Sequence, residues 1–177
     1  KTVLPDVGNL AVLDDADGVV ARRNPFNLNG RTLRFVPVGG TQKYKYELTA
    51  GSYDPLVAER GRLLSGLDDD DTEEVALPFE FPFWGKTDRA IFVNSDGNLT
   101  FGGGDVAITD RSLGRFTSGK PRIAGLFRDL DPTKARDGIR VTADANLFAV
   151  SWSQVPEYQD FGTGVLQTFQ IRLFPDG

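Results

Sequence analysis

A chain of 177 residues, 40% of them hydrophobic, is long enough to bury a core as one domain without disulfides or metals to hold it together. Its net charge of −5 argues against a nucleic-acid partner, because neutralising phosphates requires a basic face. The absence of Cys and His excludes a disulfide framework, thiolate metal sites and histidine-dependent catalysis.

The first 24 residues are predicted to form an N-terminal arm or short strands. Residues 10–13 (LAVL) and 18–21 (GVVA) are apolar runs separated by the acidic stretch 14–17 (DDAD). Because the chain contains no Met, Lys1 is not a translation start, and we expect a removed signal peptide or an origin in a longer chain. No apolar run reaches the roughly 20 residues of a membrane span, so no span is expected.

Residues 25–76 are predicted to contain a β-hairpin, a short helix and an acidic loop. The hairpin is indicated by alternation of polar and apolar residues over 32–36 and 43–48. Such alternation is typical of paired strands with one buried face and one exposed face. The glycines at 39 and 40 supply the flexibility that the connecting turn requires.

The helix is predicted over residues 55–64, with Asp54 as its N-cap and Gly66 closing it, and an extended segment is the alternative. Its apolar stripe would consist of Leu56, Arg60, Leu63 and Leu64. The acidic run 68–74 (DDDDTEE) follows and has two interpretations. A solvated loop is favoured over a divalent-cation site, because calcium loops space their oxygen ligands and place glycines between them.

Residues 77–177 are predicted to form one β-domain. Phe79, Phe81 and Phe83 lie at i, i+2 and i+4, which places three rings on one face of an extended segment, and the neighbouring prolines argue against a helix. Residues 91–93 are apolar on both sides and lead into a turn at 95–98, so this strand is expected to be covered on both faces.

The last third of the chain is predicted to form a meander of strands at 138–142, 147–152 and 168–173, separated by turn-forming residues. Before it, a helix of one or two turns is predicted over 110–116, capped by Asp110. Together, these elements predict an all-β fold, an antiparallel sandwich with one or two short helices.

From Leu77 onward the sequence resembles the nidogen-like (NIDO) extracellular domain, especially the versions found in large secreted bacterial proteins. The matching residues are 77–79 (LPF), 81–85 (FPFWG), 92–101 (FVNSDGNLTF), 122–124 (RIA), 129–132 (DLDP), 150–156 (VSWSQVP) and 168–177 (TFQIRLFPDG). Each segment alone is weakly specific, but their common order is specific. The resemblance implies a β-rich domain of matrix, adhesion or cell-surface proteins without catalytic activity.

One departure from the family concerns the end of the chain. In the family, the final Pro-Asp-Gly turn leads into a further strand, whereas here nothing follows Gly177. If that strand belongs to the fold, the backbone beside Phe169, Ile171 and Leu173 lacks a partner. The chain is then truncated, naturally cleaved, or completed by a strand from a neighbouring molecule, for example from its N-terminal arm. These three residues are therefore candidate interaction residues.

Asp129 and Asp131 are the candidate metal ligands. At i and i+2 on a strand they share a face, where two carboxylates can hold calcium. The competing interpretation, which we favour, is that they end a strand and cap the turn at Pro132. Asp96 or Glu157 would join them only if the fold brings them near.

Aromatic side chains offer a second kind of site. Trp84, Trp152, Tyr53 and Tyr158 could together stack on a sugar. Both tryptophans lie in apolar strands, so we expect them in the core or at its edge. Tyr158 follows Pro156 in a loop and is the better candidate for contact with a partner.

The favoured function is a non-enzymatic structural or adhesive module, extracellular or at the cell surface. Its partners would be other protein chains, either copies of itself joined into a fibre by strand donation or the rest of a longer chain. The alternative is a sugar- or calcium-binding module of a larger secreted protein. No cofactor other than calcium is considered, and no catalytic residues are predicted.

Overall fold

The computed structural model describes residues 28–39, 41, 43–51, 53–158 and 165–177. The predicted N-terminal arm lies outside these residues. The described chain divides into two compact units, one containing residues 28–35 and 46–51 and the other containing the remainder. Within the described ranges, no helix combines the length and apolar character needed to cross a membrane.

The described residues form ten β-strands, two short α-helices and one 3-10 turn. Their bounds are β1 Arg31–Pro37, β2 Tyr44–Ala50, α1 Pro55–Glu59, β3 Arg62–Leu63, β4 Thr72–Phe83, β5 Lys86–Asn94, β6 Asn98–Thr100, α2 Leu113–Thr117, β7 Arg122–Ala124, the 3-10 turn Pro132–Lys134, β8 Gly138–Asp144, β9 Leu147–Val155 and β10 Gln167–Leu173. The predicted meander corresponds to β8, β9 and β10.

Strands β1 and β2 form a two-stranded sheet, which confirms the predicted hairpin. The turn is closed by the Val38 amide, which donates to the Lys43 carbonyl over 2.9 Å. The predicted buried face is wrong, since every residue of β2 is exposed and Tyr46 is 65% exposed. Alternation shows which side chains share a face, but it does not show whether a second layer covers that face.

The first four-stranded sheet is antiparallel and has the strand order β10-β9-β8-β3. Its inward face is apolar, with Ile171 opposite Val150 and Val150 opposite Val141. Its outward face carries smaller or polar side chains and packs on α1. There the Thr142 hydroxyl donates to the Val57 carbonyl. Alternation along β8 to β10 therefore separates a core face from a helix-covered face.

The second four-stranded sheet is also antiparallel, with the order β4-β5-β6-β7. Its inward face carries Val93 opposite Leu99, both fully buried. The predicted aromatic face of β4 is present: Phe81 and Phe83 lie 5.9 Å and 4.6 Å from the ring centre of Phe101.

The inward faces of the two sheets share one hydrophobic core, so the fold is the predicted all-β sandwich. Trp152 of β9 is fully buried in it and stacks on Phe169 of β10, with ring centres 4.9 Å apart. The Trp152 indole N–H donates to the Ser95 carbonyl in the β5–β6 turn over 3.2 Å, which links the sheets. Leu64 and Val75, from the segment before residue 77, pack in the same core.

Helix α1 is shorter than predicted. Asp54 caps it as expected, accepting from the Leu56 and Val57 amides, but it ends at Glu59. The predicted apolar stripe is wrong, because Leu56 is 72% exposed and the buried residues are Val57 and Ala58. Gly61 packs tightly against the Thr142 side chain of β8, and the chain enters β3 at the next residue.

Helix α2 also differs from its prediction. It begins at Leu113, and its N-cap is Ser112, whose hydroxyl accepts from the Arg115 amide over 3.2 Å. The predicted cap, Asp110, lies outside the helix. Arg111, between these two residues, enters the charged cluster described below.

Candidate functional site

Three separate segments of the chain converge on the guanidinium of Arg111, which lies on a fourth. Its Nε donates to Asp96 Oδ2 over 2.7 Å and its Nη2 to Asp96 Oδ1 over 2.9 Å, a bidentate pair. Nη2 also donates to Asp70 and lies 3.0 Å from Asp129 Oδ1. Arg111 and Asp96 are almost fully buried, with side chains 6% and 2% exposed. We call these four residues the arginine clamp.

The β5–β6 hairpin positions Asp96 at the centre of the clamp. Residues 94–98 are buried polar residues, and Asn94 Nδ2 donates to Asn98 Oδ1 over 3.0 Å and to Thr100 Oγ1 over 3.2 Å. Asn94 Oδ1 accepts from the Asp105 amide over 2.9 Å. The prediction that β5 is covered on both faces is confirmed only in part: Ile91 and Val93 are buried, whereas Phe92 on the opposite face is half-buried.

A second group of charges continues from the clamp. Arg115 Nη2 lies 3.5 Å from Asp96 Oδ2 and 3.0 Å from Asp105 Oδ1. Arg122 Nη1 bonds the other Asp105 oxygen over 2.7 Å. The two guanidinium carbons also lie 5.3 Å and 5.1 Å from the Phe127 ring centre, within cation–π range. Burial raises the pKa of Asp105, but hydrogen bonds and positive charge from Arg122 and Arg115 outweigh burial, so the pKa is lowered.

Negative charge exceeds positive charge at the outer side of the clamp. Asp69, Asp70 and Asp129 place one carboxylate oxygen each within 4.8 Å of one another. Burial, then the charges of Asp70, Asp129 and Asp131, raise the pKa of Asp69 to about 6. Burial also raises the pKa of Asp129, against the opposing effect of Arg111. This part of the fold is therefore under electrostatic repulsion at neutral pH.

Replacing Asp69 with Asn is expected to stabilise the protein at pH 7 by about 1 kcal/mol, less than the pKa shift alone implies because solvent screens a partly exposed carboxylate. The pKa of Asp69 is about 6 in the folded state and 3.8 in the unfolded state, so below pH 3.8 the carboxyl is protonated in both. Between pH 3.8 and about 6 the unfolded state loses its proton first, and the cost to stability grows as the pH rises. Urea denaturation from pH 3.5 to 8 measures this. A variant that gains nothing above pH 6 contradicts it.

The two predicted calcium ligands lie in different surroundings. Asp131 is buried, and its Oδ1 accepts from the Thr133 amide over 2.8 Å and hydroxyl over 2.6 Å, so it caps the 3-10 turn as the favoured interpretation expected. Asp129 joins Asp69 and Asp70 instead. The run 68–74 thus contributes two acids to this cluster. A calcium site at Asp129 and Asp131 stays a prediction.

The predicted interaction residues lie along β10 and just before it. Ile171 and Leu173 are 6% and 4% exposed and belong to the core, against which Phe169 packs. The outer edge of β10 has no neighbouring strand among the described residues. Tyr158 is 42% exposed, and its amide donates to the Asp129 carbonyl over 2.9 Å.

The prediction that Trp84 lies in the core or at its edge is wrong. Trp84 is 73% exposed in the two-residue loop between β4 and β5. Its φ of 52° and the 70° of Gly85 match the hairpin turn that favours Asn-Gly. In the sequence, the turn between β4 and β5 is indicated by Gly85, which follows the aromatic run. Arg111 had no comparable signal, since its partners lie up to 41 positions away.

Gly97, in the turn between β5 and β6, is a second glycine whose backbone conformation is decisive. Its φ is 76°, and a Cβ added there would collide with the Leu126 carbonyl oxygen. We expect Gly97→Ala to destabilise the fold by about 3 kcal/mol, because positive φ and a backbone clash add together. Gly102→Ala is the matched control, with a φ of 77° and open space. Chemical denaturation of both variants measures the clash separately, and equal losses would contradict it.

Comparison with known proteins gives one match. No curated protein and no solved structure matches the chain. A model of the family described as NIDO related matches residues 43–176, which extends the resemblance at its N-terminal side beyond Leu77. The match contains the arginine clamp and both four-stranded sheets. The chain therefore belongs to the NIDO-related family.

Proposed function

We propose that the protein is a non-enzymatic extracellular module, structural or adhesive, which joins other chains by adding a strand at the edge of β10. Membership of the NIDO-related family supports the extracellular location. The absence of His and Cys supports a role without catalysis. So does the pairing of the most buried carboxylate, Asp96, with Arg111, which commits it to a structural bond.

The observation that supports this proposal most directly is that β10 lacks the features that usually protect an edge strand from pairing with another chain. The described sheets of the sandwich have four outer strands. β3 and β7 are only two and three residues long. β4 carries Pro78 and Pro82, which cannot donate to an added strand. β10 runs for seven residues without Pro or Lys. Its backbone therefore favours strand addition over the other three edges.

The side chains of β10 indicate which kind of strand could pair with its edge. Phe169, Ile171 and Leu173 point to the core, so the added strand should extend that face with apolar residues at alternate positions. On the other face Gln170 bonds the Asp54 backbone at 3.1 and 2.9 Å. Arg172 donates to Gln170 over 2.8 Å and lies 3.9 Å from Asp54, and its exposed positive charge favours an acidic residue on the added strand.

The donor we propose is the N-terminal arm of a second copy. Residues 10–21, two apolar runs on either side of the acidic stretch 14–17, are long enough to pair along the seven residues of β10, and the acidic stretch complements Arg172. Donation from each copy to the next does not close on itself, so it produces a filament.

Sedimentation, electron microscopy and hydrogen exchange of the purified chain test this proposal. We expect concentration-dependent filaments, with newly protected amide protons at alternate residues of β10. Deleting residues 1–20 should leave a folded monomer whose β10 edge exchanges rapidly. A full-length protein that stays monomeric, or that assembles without protection of β10, overturns the proposal.

The alternative, a sugar- or calcium-binding module, has one specific observation behind each ligand. Exposed Trp84 could stack on a sugar, and three acids converge at Asp129. For calcium we expect equal thermal midpoints with the ion and with chelator, because Arg111 already supplies positive charge at Asp70 and Asp129. A midpoint raised by calcium would favour the alternative. Titration with oligosaccharides, followed by Trp84 fluorescence, tests the sugar.

A further inference from the structure

Trp84 is an unfavourable residue for its position in the fold. A two-residue loop with positive φ at both positions favours Asn, Asp or Gly at the first of them, and a bulky side chain there is strained. Burial does not compensate, because the side chain is 73% exposed. The loop thus presents a rigid aromatic group to the surroundings at the tip of a hairpin.

A groove lies at the other end of the same strand. Its volume is about 500 Å³, within the range of about 300–1,000 Å³ that holds a small organic group. Its lining combines apolar and charged side chains and includes Arg60, Arg62, Val75, Val141, Thr142 and Asp144. Arg62 is paired with Glu73 at 3.0 Å. The Arg60 guanidinium has no hydrogen bond or ion pair with a described residue.

The groove and the indole are chemically complementary. Val75 and Val141 can contact the ring, and the unpaired guanidinium of Arg60 can lie over its face. Asp144 accepts from the Asn146 amide with Oδ1, so its second oxygen can accept from the indole N–H. An aromatic anchor in a pocket with a charged rim is a common centre of protein interfaces.

Trp84 cannot fill the groove of its own chain. Val75, which lines the groove, pairs with Ile91, and Phe83, which precedes Trp84, pairs with Lys86. Five residues of β5 therefore separate the two positions, which is roughly 17 Å. An occupant of this chemistry therefore comes from another copy. Because the two surfaces differ, the contact is head to tail and repeats along a line.

We propose that Trp84 of one copy inserts into the groove that residues of β3, β4 and β8 line in the next copy. This contact deepens the proposed function by adding a second joint between copies, and it does not require strand donation. It also accounts for a strained, exposed tryptophan at a turn where Asn would fit.

The test uses two variants that each remove one side of the contact. Trp84→Ala removes the indole, and Ala143→Phe fills the groove at an exposed lining residue. Each alone should weaken self-association about 30-fold or more in sedimentation velocity. Mixed in equal amounts, they should form heterodimers through the one remaining pair of intact surfaces. Ile108→Ala, at a residue 81% exposed elsewhere, should associate as the original chain does.

Two further readouts separate a contact role from a structural one. Trp84 fluorescence should shift to the blue on association, whereas Trp152 is already fully buried. Trp84→Asn should raise the thermal midpoint, because Asn suits the turn, while it weakens association as Trp84→Ala does. A lowered midpoint, unchanged association of either variant, or no heterodimer overturns the inference.

The results also distinguish this contact from strand addition. β10 protection with association independent of Trp84 supports the proposed function and overturns the inference. Association that depends on Trp84 without β10 protection does the reverse. A chain that remains monomeric at all concentrations overturns both.

Discussion

Replacing Arg111 with Met is expected to lower the free energy of unfolding by about 3–5 kcal/mol, because it leaves a buried carboxylate without its partner. Asp96 is 2% exposed and would keep Arg115 at 3.5 Å and the Leu130 amide at 3.4 Å. Asp70 and Asp129 would lose their only cation within 4 Å among the described residues. Burial already raises the pKa of Asp96 against the effect of Arg111, so the loss should shrink in acid as this carboxylate protonates.

Urea denaturation at pH 7 and pH 4 measures this effect, and Arg89→Met is the matched control. Arg89 pairs with Glu80 on the surface, where the side chains are 76% and 56% exposed. Its removal should cost less than about 1 kcal/mol. Equal losses in the two variants would show that the clamp is as well solvated as a surface pair and would contradict its structural role.

Trp152→Ala is expected to cost about 3–5 kcal/mol through the cavity that it leaves. The side chain is fully buried, and it supports Phe169 of β10 by stacking. Trp152→Phe keeps an aromatic ring but leaves the Ser95 carbonyl without its donor, which should cost about 2 kcal/mol. The two losses separate the cavity from the hydrogen bond.

Trp84→Ala is the control for the same residue type, since an indole 73% exposed contributes little to folding. We expect it to change the free energy of unfolding of dilute monomer by less than about 0.5 kcal/mol. Thermal and chemical denaturation of the three variants measure the series. A large loss at position 84, or none at 152, contradicts the assignment of the two tryptophans to surface and core.

The sandwich could be predicted because its signals are local. Alternation identified β10, turn-forming residues marked the limits of β8 and β9, and the Asp54-Pro55 pair identified the start of α1. The end of α1 could not be predicted, because the close packing of Gly61 on Thr142 is a tertiary contact. Trp84 was misplaced because an aromatic run continues across the point where the strand turns, and only the glycine marks that point.

The arginine clamp could not be predicted for a different reason. Arg111 lies 15 positions from Asp96 and 41 from Asp70, in irregular segments that have no periodicity. Acidic residues are numerous in this chain, and a pattern does not show which of them meet an arginine. The sequence suggested that Asp96 would join Asp129 only if the fold brought them together, and Arg111 is the group that does so.

The long sequence separations within the clamp also bear on how slowly the protein unfolds. Four distant segments must meet before Arg111 can bind, so we expect the clamp to form after the transition state of folding. Its loss would then act on the unfolding rate and leave the folding rate nearly unchanged. Arg111→Met should accelerate unfolding about a hundredfold or more. The clamp would thus govern how long the folded module persists once formed.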